Sequence, residues 1–174
     1  MAQNKVPQAE FDAKIAVVSD IDWARLAAYV DGEGTIMISK SAVKTGTKNP
    51  QYVLTLIVAN TDPRLICWLQ GNFGGYNTYS HSLGSRLARE HGCHARKACF
   101  SWRQHEERAA EIIRHIMPNL IMKREQAEVA LAYRELRKQG SKGRKLTSVD
   151  IDAREVLRQE MRSLNSGDWA RQEK

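Results

Sequence analysis

The segment from Trp23 to Ser39, WARLAAYVDGEGTIMIS, limits the fold because a helical pattern passes into a strand pattern within a few residues. With the residues just before it, the segment predicts a helix from Ser19 to about Asp31, with Ser19, Asp20 or Asp22 as the N-cap. A strand is predicted over residues 35–40, joined to the helix by the acidic turn Asp31-Gly32-Glu33-Gly34. Unpaired carbonyl groups make the carboxyl end of a helix partly negative, so two acids there are unfavourable. Either the turn is solvated, with a left-handed glycine ending the helix, or a positive group meets it.

The rest of the chain continues this alternation of helix and strand patterns. Residues 1–18 predict a mobile arm or a short leading helix, and residues 166–174 predict a frayed tail. Residues 19–165 predict one α+β domain in the order α-β-β-α-β-β-α plus C-terminal helices, with one antiparallel four-stranded sheet and helices on one face. The further predicted strands are 51–60, 74–82 and 96–104, and the further predicted helices are 61–73, 105–116, 123–139 and 148–165.

The charge of the chain indicates the kind of partner. Its 174 residues include 27 Lys and Arg against 20 Asp and Glu, a net charge of +7. Basic side chains gain affinity for nucleic acid by displacing condensed counterions, so a polyanionic partner is favoured. Only 7% of the residues are aromatic, which disfavours a single-strand RNA binder that stacks bases.

The cysteines indicate a reducing compartment. Cys67, Cys93 and Cys99 are an odd number without a CxxC pair, as expected in a cytoplasm, nucleoid or organelle matrix. His91 and His94 could join Cys93 and Cys99 in a zinc site, but the spacing matches no standard finger. No apolar run is long enough for a membrane span, and the N-terminus carries no signal-peptide core.

Period-two alternation predicts a polar sheet face that could lie in a DNA groove. Phe100 and Trp102 fall on one face of the last strand, and basic and hydroxyl side chains fall on the other. Basic residues in or beside the loops of the chain are further candidate DNA contacts. Those in the loop 142–145 are expected to hold phosphates. The predicted DNA-binding residues are Lys40, Lys44, Lys48, Gln51, Thr55, Thr78, Ser80, Lys97, Ser101, Arg103, Lys142, Arg144 and Lys145.

Four stretches, in order along residues 23–165, resemble the LAGLIDADG homing endonuclease family. LAAYVDGEG (Leu26–Gly34) is similar to the motif that names the family, and the chain carries it once. VANTDPRLICWLQGNFGG (Val58–Gly75) resembles the segment after the family's first hairpin. PNLIMKREQAEVAL (Pro118–Leu131) resembles the stretch that supplies an active-site lysine, and SKGRKLTS (Ser141–Ser148) a loop that touches DNA phosphates. A single motif resembles the homodimeric branch of the family.

The resemblance implies a site-specific double-strand DNA endonuclease with a role in intron homing. Such an enzyme cuts a long pseudo-palindromic site by Mg²⁺-dependent phosphodiester hydrolysis and leaves 3′ overhangs. Mn²⁺ is expected to substitute, and Ca²⁺ to bind without supporting cleavage. The resemblance assigns metal binding to Glu33 with Gly32, and catalytic roles to Glu33, Lys123, Asn60 and Arg64.

The same resemblance implies a dimer through the motif helix. Small residues such as Ala27 and Ala28 let two helices approach closely, and two Glu33 carboxylates would then repel each other unless metal ions came between them. The positive partner of the acidic turn would therefore be Mg²⁺. The predicted interface consists of Leu26, Ala27, Ala28, Val30 and Asp31, with Asp31 also supporting the helix end.

Other interpretations remain for the chain and for single residues. The chain could be a non-cleaving nucleic-acid binder, such as an intron RNA maturase or a DNA-binding regulator. Lys123 could be a solvated lysine in a first helical turn, Asn60 a helix cap and Arg64 a solvated charge.

Overall fold

The computed structural model describes residues 7–41, 49–80, 99–139 and 146–166, which form six helices and four strands. The strands make one antiparallel sheet in the order β1-β2-β4-β3. A short 3₁₀ turn, Met117–Asn119, follows the fourth helix. The elements are α1 (Gln8–Ala16), α2 (Asp20–Glu33), β1 (Gly34–Ser41), β2 (Gln51–Asn60), α3 (Pro63–Phe73), β3 (Tyr76–Ser80), β4 (Cys99–His105), α4 (Glu106–Ile116), α5 (Arg124–Gln139) and α6 (Ser148–Ser166).

The helices cover one face of the sheet, as predicted. Alternate residues of β1, β2 and β4 point into the core, among them Ile36, Leu56 and Trp102, each of which has no exposed surface. The register pairs Ile36 with Leu56 and Val58 with Trp102, so the apolar face is continuous across three strands. The intervening residues make up the other face, which none of the described helices covers. We call it the open face.

The N-terminal segment is a helix that belongs to the core. Phe11 is 1% exposed and Ile15 is buried, and the guanidinium of Arg108 lies 5.0 Å from the centre of the Phe11 ring. The prediction of a weakly structured arm over residues 1–18 is therefore wrong for Gln8–Ala16, where the alternative of a leading helix is correct. The alternation of apolar residues in this helix is too short to distinguish the two from sequence.

The helix α2 begins at a side-chain cap and ends later than predicted. The Ser19 hydroxyl accepts a hydrogen bond from the Asp22 N–H at 3.2 Å, as an N-cap does. The helix continues through Asp31 and Glu33, so these acids lie in its last turn rather than in a separate turn. Gly34 has φ −90°, and it begins β1 directly. A left-handed glycine cap is therefore the wrong interpretation here, although Gly74, after α3, has φ +63°.

Gly34 is required by a close approach of backbones. A Cβ atom placed on it would lie 2.6 Å from both the Cα and the carbonyl oxygen of Val30, distances that side chains do not tolerate. The absence of a side chain lets the strand leave the helix without a loop. The position of Glu33 relative to the sheet is consequently set by one backbone junction.

No helix within the described ranges is both long and apolar enough to pass through a membrane.

Gly34→Ala is expected to lower the free energy of unfolding by about 2–3 kcal/mol, because the new methyl group collides with backbone that cannot rotate away. Gly71→Ala is the matched control: that helical glycine has open space around its Cβ position. It should gain about 0.5–1 kcal/mol from helix propensity. Urea denaturation followed by circular dichroism measures both, and equal effects would contradict the assigned junction.

Candidate functional site

The carboxylate of Asp31 binds the amino end of α5. Its oxygens accept hydrogen bonds from the backbone N–H groups of Ile121 (2.8 Å), Met122 (3.2 Å) and Lys123 (3.0 Å). The Ala127 N–H donates to the Lys123 carbonyl, so Lys123 directly precedes the first turn of α5, and the three amides lie in the segment that leads into the helix. The positive end of α5 therefore offsets a negative charge at the carboxyl end of α2.

Lys123 completes this contact from the opposite direction. Its Nζ donates a hydrogen bond to the Asp31 carbonyl oxygen at 2.5 Å, which places a cation on the last turn of α2. Lys123 therefore lies at the same helix end as Glu33, as the sequence predicts. Its observed bond is to backbone, and its catalytic role stays a prediction.

Glu33 has no such role in the fold. It is exposed and makes no hydrogen bond or ion pair with the residues that the structure describes. The two acids of the motif are thus separated: one is a buried structural acceptor, 7% exposed, and the other is a solvent-facing carboxylate. Gly32, also exposed, precedes it on the same turn.

One chain alone offers few ligands for a metal ion. Among the described residues, no three His, Cys, Asp or Glu side chains lie close enough together to hold one. Mg²⁺ and Ca²⁺ prefer six or more oxygen ligands, and Mg²⁺ commonly takes one or two carboxylates with phosphate and water. Glu33 fits such an open site, provided that nucleic acid or a second chain supplies the remaining oxygens.

Asn60 and Arg64 are engaged in the start of α3. The Asn60 Oδ1 accepts the Asp62 N–H at 2.8 Å, and the Asp62 carboxylate accepts the Arg64 N–H at 2.9 Å. The Arg64 guanidinium also binds that carboxylate, which lowers the Asp62 pKa to about 2. These contacts match the alternative of capping and a surface ion pair.

A cleft of about 510 Å³ joins α3 to the exposed side of α2. Asn60 and Arg64 line it together with Arg25, Tyr29 and Trp68, whose ring centre lies 6.0 Å from that of Tyr29. In the described part of the chain, neither Glu33 nor Lys123 lines this cleft. The structure thus places the four predicted catalytic residues in two neighbouring groups, and the catalytic roles of Asn60 and Arg64 stay predictions.

The open face carries most of the predicted groove-facing positions. Thr78 and Ser101 share a hydrogen bond of 2.5 Å between their hydroxyls, and the Thr55 hydroxyl lies 3.1 Å from the His105 Nδ1. The strand register aligns these pairs with Arg103, which lies opposite Tyr76. The residues placed on this face are Gln51, Thr55, Thr78, Ser101 and Arg103, with Ser80 at the register position opposite Cys99.

Sequence reasoning missed His105 and Tyr76 on this face. The alternation that identified Arg103 would have reached His105 if the strand had been extended by one residue. Burial, and then the positive charge of Arg103, lower the pKa of His105, which favours its uncharged form. The uncharged ring can then form one hydrogen bond with the hydroxyl of Thr55, which is buried.

Lys40 does not lie on the open face. Its Nζ is 2.8 Å from the Glu155 Oε2 of α6, and the Tyr52 hydroxyl donates to the same oxygen at 2.7 Å. The bond from Lys40 contributes most to lowering the pKa of Glu155 to about 2. Lys40 lies on the side of the sheet that faces the helices, and its contact with DNA stays a prediction. The predicted contacts Lys44, Lys48, Lys97, Lys142, Arg144 and Lys145 lie outside the described residues.

The predicted dimer interface is mostly buried inside the chain. Leu26, Ala27 and Val30 have no exposed surface, and Asp31 is occupied by α5, so these four cannot face a second chain. Their i, i+1, i+4, i+5 spacing marks the side of α2 that packs on the sheet. The exposed side carries Ala28, the fifth predicted residue, in line with Ile21, Ala24, Arg25 and Gly32.

Asp31→Ala is expected to lower the free energy of unfolding by about 2 kcal/mol, because three amides at the start of α5 lose their acceptor. Glu33→Ala removes the neighbouring acid and should change it by no more than about 0.5 kcal/mol, as at other exposed positions. Urea denaturation measures the difference. Equal losses for the two variants would show that Asp31 does not hold α5.

Comparisons with known proteins identify the fold. No protein-family profile and no curated protein sequence matches the chain. Among solved structures, I-CvuI in complex with its target in the presence of Ca superposes with a TM-score of 0.53 at 17% identity, over 84% of this chain and 96% of that one. Archaeal intron-encoded I-Vdi141I complexed with DNA gives 0.63 at 9%, over 83% and 84%. I-SmaMI bound to an uncleaved DNA target in the presence of calcium ions gives 0.59 at 19%, over 87% of this chain and 49% of that one. The chain therefore has the fold of the LAGLIDADG homing endonucleases.

Proposed function

We propose that the protein is a site-specific double-strand DNA endonuclease. The observation that carries the proposal is that the two acids at the end of α2 have different roles. Asp31 accepts hydrogen bonds from the segment that leads into α5, whereas Glu33 stays exposed without a partner among the described residues. The Lys123 ammonium binds the Asp31 carbonyl at the same helix end. Glu33 makes no contact that holds the described fold together, so its carboxylate is open to a ligand. A carboxylate and a lysine at one helix end suit phosphodiester hydrolysis.

DNA would lie along the open face of the sheet. That face is polar at its centre, through Thr55, Thr78, Ser101 and Arg103, and the chain carries a net charge of +7. A two-stranded ribbon or sheet surface fits the width of the major groove. The structures of I-CvuI, I-Vdi141I and I-SmaMI with DNA support the same use of this fold.

Two copies would act together. A small-residue stripe, Ala24, Ala28 and Gly32, runs along the exposed side of α2 and permits close helix packing. The chain matches nearly all of I-CvuI but about half of I-SmaMI, which supports one copy as half of a complete unit. A two-fold pair of chains would read a pseudo-palindromic site.

Cleavage in this arrangement relies on Glu33 and Lys123. Pairing of two α2 helices would bring two Glu33 carboxylates together, and these carboxylates would be the protein ligands of the divalent cations. A bound Mg²⁺ supplies activation of water and stabilisation of charge on the phosphate. Lys123 lies beside that position and stabilises the charge that develops on the phosphoryl oxygens. Water adds to phosphorus as the leaving oxygen departs, once on each strand, in a staggered cut with 3′ overhangs that serves intron homing.

Glu33→Gln is expected to abolish cleavage, by about 10³-fold or more, while DNA affinity and stability stay unchanged. The exchange removes a metal ligand and leaves the fold and the open face intact. The target is first selected from randomised duplex DNA by binding in Ca²⁺ and release in Mg²⁺. The selected duplex is then incubated with both proteins and resolved on a denaturing gel.

The wild type serves as its own control in Ca²⁺ and Mg²⁺. A variant that still cuts shows that Glu33 is misassigned. A wild type that binds a defined sequence and never cuts it in Mg²⁺ or Mn²⁺ is a non-cleaving binder, with intron RNA as the next ligand to examine.

Ala28→Trp is expected to convert the dimer to a monomer, because a bulky side chain on the small-residue stripe keeps the two helices apart. Ala132→Trp is a suitable control, since Ala132 is exposed on the distant helix α5. Light scattering gives the mass of each. An unchanged mass for Ala28→Trp would contradict the proposed interface.

A further inference from the structure

A second charged site lies at the opposite end of the sheet from Glu33. A pocket of about 490 Å³ opens between the start of β2, the start of α4, the last turns of α5 and the body of α6. Gln51, Tyr52, Glu106, Arg137 and Arg154 line it. None of the residues assigned to cleavage belongs to it.

Among the described residues that line this pocket, the one carboxylate is that of Glu106, and it is already neutralised. Glu106 accepts hydrogen bonds from Arg134 and from Arg137, two neighbours on one side of α5. Its φ of 54° makes it, among the described residues, the one non-glycine in the left-handed region. A backbone held in that region is strained, and the two ion pairs compensate the strain. Glu106 therefore has no charge left for a third arginine.

Arg154 is that third arginine. It is 8% exposed, its Nε has no hydrogen-bond partner, and it forms no hydrogen bond or ion pair with any described residue. An arginine cannot give up its proton in a protein, so its charge stays in the pocket wall. Burying a charge without a partner is costly, and an anion bound in the pocket would offset that cost for Arg154.

The position of the pocket indicates where the anion comes from. Gln51 lines the pocket and is also the first β2 residue on the open face, where its Cα pairs with Ser41. A duplex on the open face would therefore pass its backbone across the mouth of the pocket. The planar fork of a guanidinium matches two oxygens of a phosphate.

We propose that Arg154, with Arg137 beside it, forms a phosphate-binding pocket that holds a DNA backbone phosphate at the outer part of each half-site. The phosphate-binding property rests on the pocket alone, whereas its DNA source rests on the proposed function. A contact of this kind adds affinity equally for all sequences and carries no base information.

The first test measures thermal unfolding in inorganic phosphate and in chloride at equal ionic strength. The proteins are the wild type, Arg154→Gln and Arg162→Gln, the last an exposed arginine on the same helix. Phosphate at tenfold its Kd should raise the Tm of the wild type and of Arg162→Gln by about 3 °C and leave that of Arg154→Gln unchanged. An equal response of all three, or no response of the wild type, overturns the pocket.

The second test measures the salt dependence of binding to the selected duplex and to a random duplex. The slope of log K against log salt should fall by about one for Arg154→Gln on both DNAs and stay unchanged for Arg162→Gln. A phosphate-dependent Tm with an unchanged slope overturns the DNA source and assigns the pocket to free phosphate. A wild type that binds no DNA refutes the proposed function, and the Tm test still decides the pocket.

The phosphate-binding proposal can still be tested if Arg154→Gln has a folding defect. Arg154→Lys keeps the charge but loses the fork, and it should retain a smaller phosphate-dependent rise in Tm and the full salt slope. The wild-type response to phosphate is in any case independent of the variants. Its absence is sufficient to reject the proposal.

Discussion

The hydrogen bonds from the amides of Ile121, Met122 and Lys123 to the Asp31 carboxylate are the contact on which the arrangement of the helices depends. They join the negative end of α2 to the positive end of α5, so two helix dipoles meet through one side chain. α2 rests on the sheet through Leu26 and Val30, and α5 carries the arginines that bind Glu106. One carboxylate therefore fixes the helical layer relative to the strand that begins at Gly34.

This contact also explains why a motif with two acids has only one available to a ligand. The acid that faces the core is satisfied by backbone donors, and the acid that faces solvent is left without one. A similar separation occurs at the far end of the sheet, where Glu106 binds two arginines and Arg154 has no hydrogen-bond or ion-pair partner in the part of the chain that the structure describes. At both ends, one charged group is satisfied within the fold, and a second, which has no partner among the described residues, points to a ligand.

Much of the fold follows from periodicity. Alternation in β2 and β4 correctly separated Leu56 and Trp102 from Thr55 and Ser101, because one face of the sheet is buried and the pattern is strict. Ser19, one of the three candidate caps, marks the start of α2. The N-terminal helix was the exception, since its burial depends on Phe11 and Ile15 finding a distant core.

The site was harder to predict because periodicity identifies a face but not what the face meets. Ala27 and Val30 have the small or apolar character of an interface, and they pack on the chain's own sheet instead. Asp31 is predicted to face a second chain, yet its partners are amides some 90 residues away in sequence. Lys40 lies beside a basic loop in the sequence, but its side chain forms an ion pair with Glu155 of α6. Each of these contacts is long-range, and local sequence does not encode it.

Because no loop separates α2 from β1, the two elements change orientation together. In the proposed dimer, the angle at which two α2 helices cross would be transmitted directly to β1 and to the open face beyond it. The spacing between the two half-sites and the alignment of the two Glu33 carboxylates are then not independent properties. A change in helix packing far from any base would shift both at once, so target preference and cleavage would evolve together in this molecule.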